Sequence, residues 1–443
     1  MSTKTTVVIV GAGLSGLSAA TLLQEHNVDV VVLEANDRVG GRTYTVNPSQ
    51  EAGDPQYGWV DLGASYVGPS QNHVLRMCKK LGLETYLCRD DHDNIHYSRG
   101  RKCRYTSSWP SFWWSNPFAA WDLRAVILKL QEMVDEVPSD CPWKAPKAAE
   151  WDKMTLKEFL EKQCWTSDAK EFLEAMCVVN NTAEDHQVSL LFFLWYLQQG
   201  RGINRIWRIK GGAQERKIIG GSQQISLKMA QKLKAPCYAK QKLKIHFDPP
   251  LPSLRNGLIQ RCPMGLVIKW VGFYRKEFWV EKGLNGFVTC MDGIEVVGNV
   301  AEDYKPGTVH VEDKIWVEES YVGGCYTSYY PPGVLSQYGS AIREPIGGRI
   351  FIAGTESAVK WTGYMDGAIE SGERAAREVL HAQGKISSKE IWVEEPESLE
   401  VPVLPLQLPW LEKHQPSLKT LFATSVAMVS LIIAFTSFGD VTR

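Results

Sequence analysis

The chain has 443 residues, 44% hydrophobic, 10% aromatic and 22% charged, with 49 Lys and Arg against 50 Asp and Glu. That length holds two domains or one large interrupted one, and the apolar share argues against disorder. A net charge of -1 argues against a nucleic-acid binder, and ten cysteines without a Cys-x-x-Cys pair make neither a zinc module nor a disulfide-dense secreted scaffold, so no metal is expected.

In chain order, Val7-Val-Ile-Val10 is a continuous apolar run that predicts a strand buried on both faces. Gly11-Ala-Gly13-Leu-Ser15-Gly16 follows, and Leu14, Leu17, Ala20 and Leu23 then recur at helical spacing. The same apolar stretch could pass for a signal peptide, but the glycines interrupt it at fixed spacing and no small-residue cleavage site follows. Asp29-Val-Val-Val-Leu-Glu34 is a second buried strand, completing a β-α-β unit. In such a unit the first glycine makes the turn, the second admits a pyrophosphate and the third lets helix and strand pack closely. The phosphates meet the positive end of the helix dipole, and Glu34 is placed to accept from the ribose hydroxyls of an adenosine. A dinucleotide site is therefore predicted.

The middle of the chain, residues 107–198, is rich in helix formers, with helices predicted over 155–163 and 188–198. After Gly348 the pattern returns to a strand over 349–353, then Gly354, then a helix over 366–380. Nucleotide-type elements at both ends of a different middle predict an α/β fold in which one interrupted domain encloses another. Pro396, Pro402, Pro405, Pro409 and Pro416 favour an extended segment lying along the body of the protein or at a bilayer surface. Residues 420–439 carry no charge and as a helix would span roughly 30 Å, which predicts a tail anchor with the body in the cytosol; the alternative is an amphipathic helix lying on a surface.

Asp37-Arg-Val-Gly40-Gly41-Arg42-Thr43 continues from the acidic residue and resembles the signature of the flavin-containing amine oxidases, which bind FAD. Asp61-Leu-Gly-Ala-Ser-Tyr-Val-Gly68, Gly212-Ala-Gln214-Glu-Arg-Lys217, Gly323-Gly-Cys325-Tyr326-Thr-Ser-Tyr-Tyr-Pro-Pro-Gly333, Phe351-Ile-Ala-Gly354-Thr355-Glu356 and Trp361-Thr-Gly-Tyr364-Met365-Asp-Gly367 are similar to monoamine oxidase blocks. The resemblance implies an interrupted Rossmann-like FAD-binding domain (1–86, 219–258, 319–381), an inserted α+β substrate domain (87–218, 259–318), a Pro-rich membrane-proximal segment (382–417) and a C-terminal transmembrane helix (418–443). It implies FAD contacts from Gly11, Gly13, Ser15, Gly16, Glu34, Arg42, Gly354, Thr355 and Met365, and a thioether from Cys325 to the flavin. Tyr326 and Tyr364 would form an aromatic cage for the amine, whose nitrogen the electron-rich ring faces can orient. Lys269 would hold a water against the flavin, with Trp316 beside it. Tyr196 and Gln214 would line the substrate cavity, and Ile206 and Trp207 would gate its entrance. Val179 and Asn180 depart from the usual cavity residues, and Trp207 is bulkier than the usual aliphatic one.

Against the family pattern the chain is shortened twice, between Ser222 and Lys242 and between Asn299 and Val309. The first omits sheet strands on the adenine side and the second part of the cavity wall with its outer helices, so unpaired strand edges and exposed core are expected. The expected activity is oxidation of an amine by FAD and O2 to aldehyde, ammonia and hydrogen peroxide. A polyamine or L-amino-acid oxidase is the alternative within the superfamily, and a membrane-bound chain without turnover the alternative of another class. The family also implies the outer mitochondrial membrane and leaves a homodimer open; the weakly basic tail after the anchor keeps the endoplasmic reticulum as an alternative.

Overall fold

The opening apolar run forms strand β1 (Val7–Val10), and helix α1 (Leu14–Glu25) and strand β2 (Val30–Leu33) follow as the spacing predicts. This is a computed structural model, described over residues 5–48, 58–105, 112, 116–240, 245–274, 276–290 and 308–406. Further along lie α2 (Asn72–Lys80), α3 (Ser167–Asn181), α4 (Leu190–Gln199), β3 (Cys237–Tyr238), β4 (Ile268–Tyr274), β5 (Thr308–Ile315) and α5 (Met365–Ala382).

The nucleotide-type sheet is parallel in the order β1-β2-β3, with Val8 opposite Val31 and Cys237 opposite Val32. Its covered side packs on α1, α2 and α5 through Leu17, Leu23, Val30, Val32, Ile369 and Leu380. Helices α1 and α5 meet closely because residue 372 is glycine; a Cβ there would overlap Ser15 O. Where an unpaired edge was expected, the second edge of β2 carries a two-residue third strand, β3.

Two expectations are corrected here. Strand β1 is not buried on both faces: Val8 is 52% and Val10 56% exposed, while Val7 and Ile9 pack against the core. Among the described residues β1 has one strand neighbour, β2, so its other edge is open. Residues 349–353 likewise form no strand. They run past α5, where Arg374 Nη2 donates to Ile352 O at 2.8 Å, and the one bridge there joins Ile346 to Ile350. A strand needs a ladder partner, and β1 offers its free edge without taking one.

The middle of the chain is helical, as expected. Thr155 caps the helix Leu156–Gln163 in a reciprocal capping box with Glu158, and Ser189 caps α4 by accepting from Phe192 N at 3.0 Å. α4 is apolar all round and forms the centre of a second core with Phe172, Trp151, Tyr330 and Trp361. Strands β4 and β5 pair antiparallel, with Lys269 opposite Lys314. Ile268 and Trp270 on one face of β4, and Leu266 just before it, are more than half exposed.

The proline-rich segment lies along the body over its described part, which ends at residue 406; Pro409 and Pro416 lie outside the described residues. Glu395 accepts from Arg76 at 2.8 Å, Ser398 N donates to Asn72 at 3.2 Å, and Val401 is buried. No described helix is long and apolar enough to cross a membrane; the expected transmembrane helix (418–443) and most of the second shortening lie outside the described residues.

Candidate flavin and amine site

The loop between β1 and α1 forms an open cradle. Gly11 has φ +97°, a Cβ on Gly11 or Gly13 would meet nothing within 4 Å, and a Cβ on Gly16 would overlap Gly11 O. Two positions thus leave room for a ligand, and the third lets α1 start close to the strand. Glu34 accepts from Ala12 N at 2.6 Å and Asn36 N at 2.8 Å, which fixes its carboxylate at the end of β2 and leaves further lone pairs for ribose hydroxyls. Nearby, Arg38 Nη2 is buried without a hydrogen-bond partner, its carboxylate neighbour Glu319 standing 3.9 Å away. An open glycine cradle, an acceptor at the second strand and an unspent guanidinium donor together fit a pyrophosphate-linked dinucleotide such as FAD.

Arg42 ties this cradle to the far end of the chain. Its Nη1 donates to Tyr326 O at 2.7 Å and to Glu356 Oε1 at 2.5 Å, and its Nη2 donates to Glu356 Oε2 at 3.0 Å. Burial pushes the Glu356 carboxyl up, but the charge and hydrogen bonds of Arg42 outweigh it and hold Glu356 below the usual range. Thr327 Oγ1 also donates to Glu356, at 3.1 Å. Arg42 was predicted as a cofactor contact; here its guanidinium is the clamp that joins the Cys325–Tyr326 segment to the Gly40–Thr43 segment.

Cys325 is buried, and burial pushes its thiol up to about 11 against the opposing charges of Arg42 and Lys269. Its N–H donates to Gly265 O at 2.9 Å, and Gly265 N donates to Thr327 O at 3.0 Å. The segment carrying the cysteine is thereby paired with the one leading into Lys269. Lys269 Nζ donates to Gly63 O at 3.0 Å and Ser65 Oγ at 2.9 Å. Burial and then the charge of Lys217 push Lys269 down to about 8, while Asp61 and Cys325 act the other way. Trp316 is buried and donates to Leu62 O at 2.9 Å, next to the same turn.

The Tyr364 ring stacks with Tyr196 at 6.2 Å and meets Trp361 edge-on at 4.9 Å; the two tyrosine hydroxyls are 2.7 Å apart. Thr355 shapes that turn, donating to Tyr364 O at 2.9 Å and accepting from Gly363 N at 2.8 Å. Burial pushes Tyr364 up to about 12, with Tyr326 adding to the rise and Tyr196 opposing it. Tyr326 was expected to face Tyr364; the ring stacked on Tyr364 is that of Tyr196, while Tyr326 is 47% exposed.

Other predicted residues fall as follows. Ser15 opens α1, and Met365 starts α5 and is buried beside Ile369. Gly354 has φ +130° and donates to Ser371 Oγ at 3.2 Å. Ile206 is fully buried in the helical core, filling the space a Cβ on Gly200 would need. Trp207 packs edge-on to Phe172 at 6.5 Å, and Gln214 is partly buried in the turn before the strand Arg216–Ile218. Sequence reasoning missed Glu356, Thr182 and Ser65. Ser65 and Glu356 fell inside blocks similar to the family but were given no role; Thr182 carried no local signal.

The family described as "Flavin containing amine oxidoreductase" matches residues 14–240 and 294–380. The chain is 42% identical to "Amine oxidase [flavin-containing]" of Oncorhynchus mykiss, over 93% of this chain and 92% of that protein. It is 40% identical to "Amine oxidase [flavin-containing] A" of Bos taurus, over 96% and 95%, and 41% identical to "Amine oxidase [flavin-containing] B" of Homo sapiens, over 94% of each. The alignment with the trout protein runs over 491 positions, more than the 443 residues here, so these relatives are longer inside the matched region. In fold the chain matches the cyclohexylamine oxidase of Brevibacterium oxydans with a TM-score of 0.79 and 24% identity, covering 86% of this chain and all of that one. A cradle built for a dinucleotide, a lysine and tyrosines gathered beside it, and identity of this extent over nearly the whole chain place this protein in the flavin-containing amine oxidase family, as an FAD-dependent amine oxidase.

Proposed function

We propose that FAD is held covalently through Cys325 and that Tyr326 and Tyr364 receive a neutral amine in front of it, with Lys269 beside them. Bound FAD supplies the two-electron acceptor that takes the amine to its imine and passes the electrons to O2; water converts the imine to aldehyde and ammonia. The chain's own residues bind and orient. Gly11, Gly13 and the N-terminus of α1 take the pyrophosphate, Glu34 the ribose, and Arg42 holds the backbone of Tyr326. Tyr364, its ring fixed by Tyr196 and Trp361, presents a π face to the amine. Lys269, its pKa lowered mainly by burial, keeps its donors on Gly63 O and Ser65 Oγ beside the ring site.

The observation that carries this reading is the Arg42 clamp, which fastens the Cys325–Tyr326 segment across 284 positions of sequence to the segment whose Gly40 N–H donates to Ala12 O of the glycine cradle at 2.9 Å. The test is acid precipitation of the purified full-length protein. Yellow colour is expected to stay in the pellet, to be lost to the supernatant in Cys325→Ala, and to accompany peroxide formation from benzylamine or tyramine. A colourless wild-type pellet overturns the covalent link, and absence of peroxide from both amines overturns the substrate reading. The tail at 418–443 is proposed as an anchor in the outer mitochondrial membrane, on the strength of its uncharged stretch at 420–439 and of the family, with the endoplasmic reticulum as the alternative. Fractionation of cells expressing the full chain, beside a chain ending at residue 406, separates the two and tests the anchor.

A further inference from the structure

We propose that Thr182 is the positioning residue for attachment of the flavin to Cys325; this rests on the reading of Cys325 above. Thr182 ends α3 in the left-handed conformation, φ 54°, which β-branched residues adopt at a cost. That turn aims its buried hydroxyl at two carbonyls, Asn181 O at 2.7 Å and Cys325 O at 3.0 Å. Its own carbonyl accepts from Leu266 N at 3.1 Å.

Three segments cross at this point with no spare volume. A Cβ on Gly265 would overlap Thr182 Oγ1 and lie 2.6 Å from Cys325 O, and a Cβ on Gly324 would overlap Gly265 O. The carbonyls that follow and precede the Tyr326 side chain are thus gripped from two directions: Cys325 O by Thr182, Tyr326 O by Arg42. Cys325 itself is held at both ends of its backbone, by its N–H donating to Gly265 O at 2.9 Å and by its carbonyl accepting from Thr182 at 3.0 Å, and so has little freedom to turn.

In the attachment reaction the S–H bond of Cys325 and one C–H bond of the flavin methyl group break, and a C–S bond forms. Two electrons and two protons leave to O2, which becomes hydrogen peroxide. Because the thiol is buried and held mainly as the protonated form, the rate depends on keeping the sulfur in reach of the methyl carbon. Thr182 touches neither reacting atom and acts through the Cys325 carbonyl.

The experiment compares Thr182→Val and Thr182→Ser in the full chain, produced in a riboflavin-starved host and then supplied with FAD. Valine keeps the branched shape at the same backbone angle and loses the hydroxyl; serine keeps the hydroxyl. Loss of one buried hydrogen bond predicts acid-stable flavin forming about fivefold more slowly in Thr182→Val, with total FAD uptake unchanged and a near-normal rate in Thr182→Ser. A wild-type rate in Thr182→Val, or equal slowing in both variants, overturns the proposal. Should the valine variant fail to fold, Thr182→Ala replaces it under the same expectation. If the wild type itself forms no acid-stable flavin, the reading of Cys325 falls and the attachment role of Thr182 with it; hydrogen exchange at the Cys325 amide in FAD-free protein then decides whether Thr182 holds the Cys325 backbone. Exchange about fivefold faster in Thr182→Val than in Thr182→Ser supports it; equal exchange overturns it.

Discussion

Replacing Lys269 with Met tests whether a buried ammonium is held against its preference beside the flavin site. The folded protein pushes this lysine from 10.5 down to about 8, mainly by burial and next by Lys217. A base with a lowered folded-state pKa binds fewer protons folded than unfolded between those two values, so stability rises with pH through that window. At pH 7 the strain is nearly complete, about 3 kcal/mol; by pH 10 most of it is relieved, a change of about 2.5 kcal/mol. Methionine keeps the length of the side chain and cannot titrate. It also leaves Gly63 O and Ser65 Oγ without their donor, but that loss is the same at both pH values and cancels. The assay is urea unfolding of wild type and Lys269→Met at pH 7 and pH 10, followed by tryptophan fluorescence. The wild type is expected to gain about 2.5 kcal/mol on the variant between the two. A gain below about 0.5 kcal/mol would show that the ammonium is well solvated and refute the reasoning.

Two further predictions concern the residues around it. Tyr196→Phe removes the hydroxyl that meets Tyr364 at 2.7 Å, and about 1 kcal/mol of ring positioning with it, so kcat/KM for benzylamine is expected to fall about fivefold with the melting temperature nearly unchanged. Glu356→Gln leaves Arg42 without its anionic partner; unfolding free energy is expected to drop by about 3 kcal/mol, together with weaker FAD retention on gel filtration.

The sequence was most readable where a local pattern is sufficient. The β1-turn-α1-β2 unit emerged because an apolar run, three spaced glycines and a helical repeat each report on neighbours a few positions away. The helices at 155–163 and 188–198 were legible for the same reason. Misreadings fell where the outcome depends on a partner far along the chain. Residues 349–353 have the composition of a strand and still form none, because strand identity belongs to the pair. The four valine-rich positions of β1 look doubly buried until the neighbour that would cover Val8 and Val10 is sought and not found among the described residues. Glu356 and Thr182 were silent because their meaning comes from Arg42 and Cys325, 314 and 143 positions away.

The Arg42 clamp also has a bearing on how the protein is made. Residues 42, 326 and 356 must all be present before the grip can close, and α1 gains α5 as a packing neighbour only when Met365–Ala382 has been synthesised. A ribosome adding about 5–20 residues per second would expose the glycine cradle for roughly 15 seconds or more before its far wall emerges. Cofactor loading is therefore a late event in the life of this chain, and a nascent chain stalled before residue 356 would present half a nucleotide site with nothing to shut it.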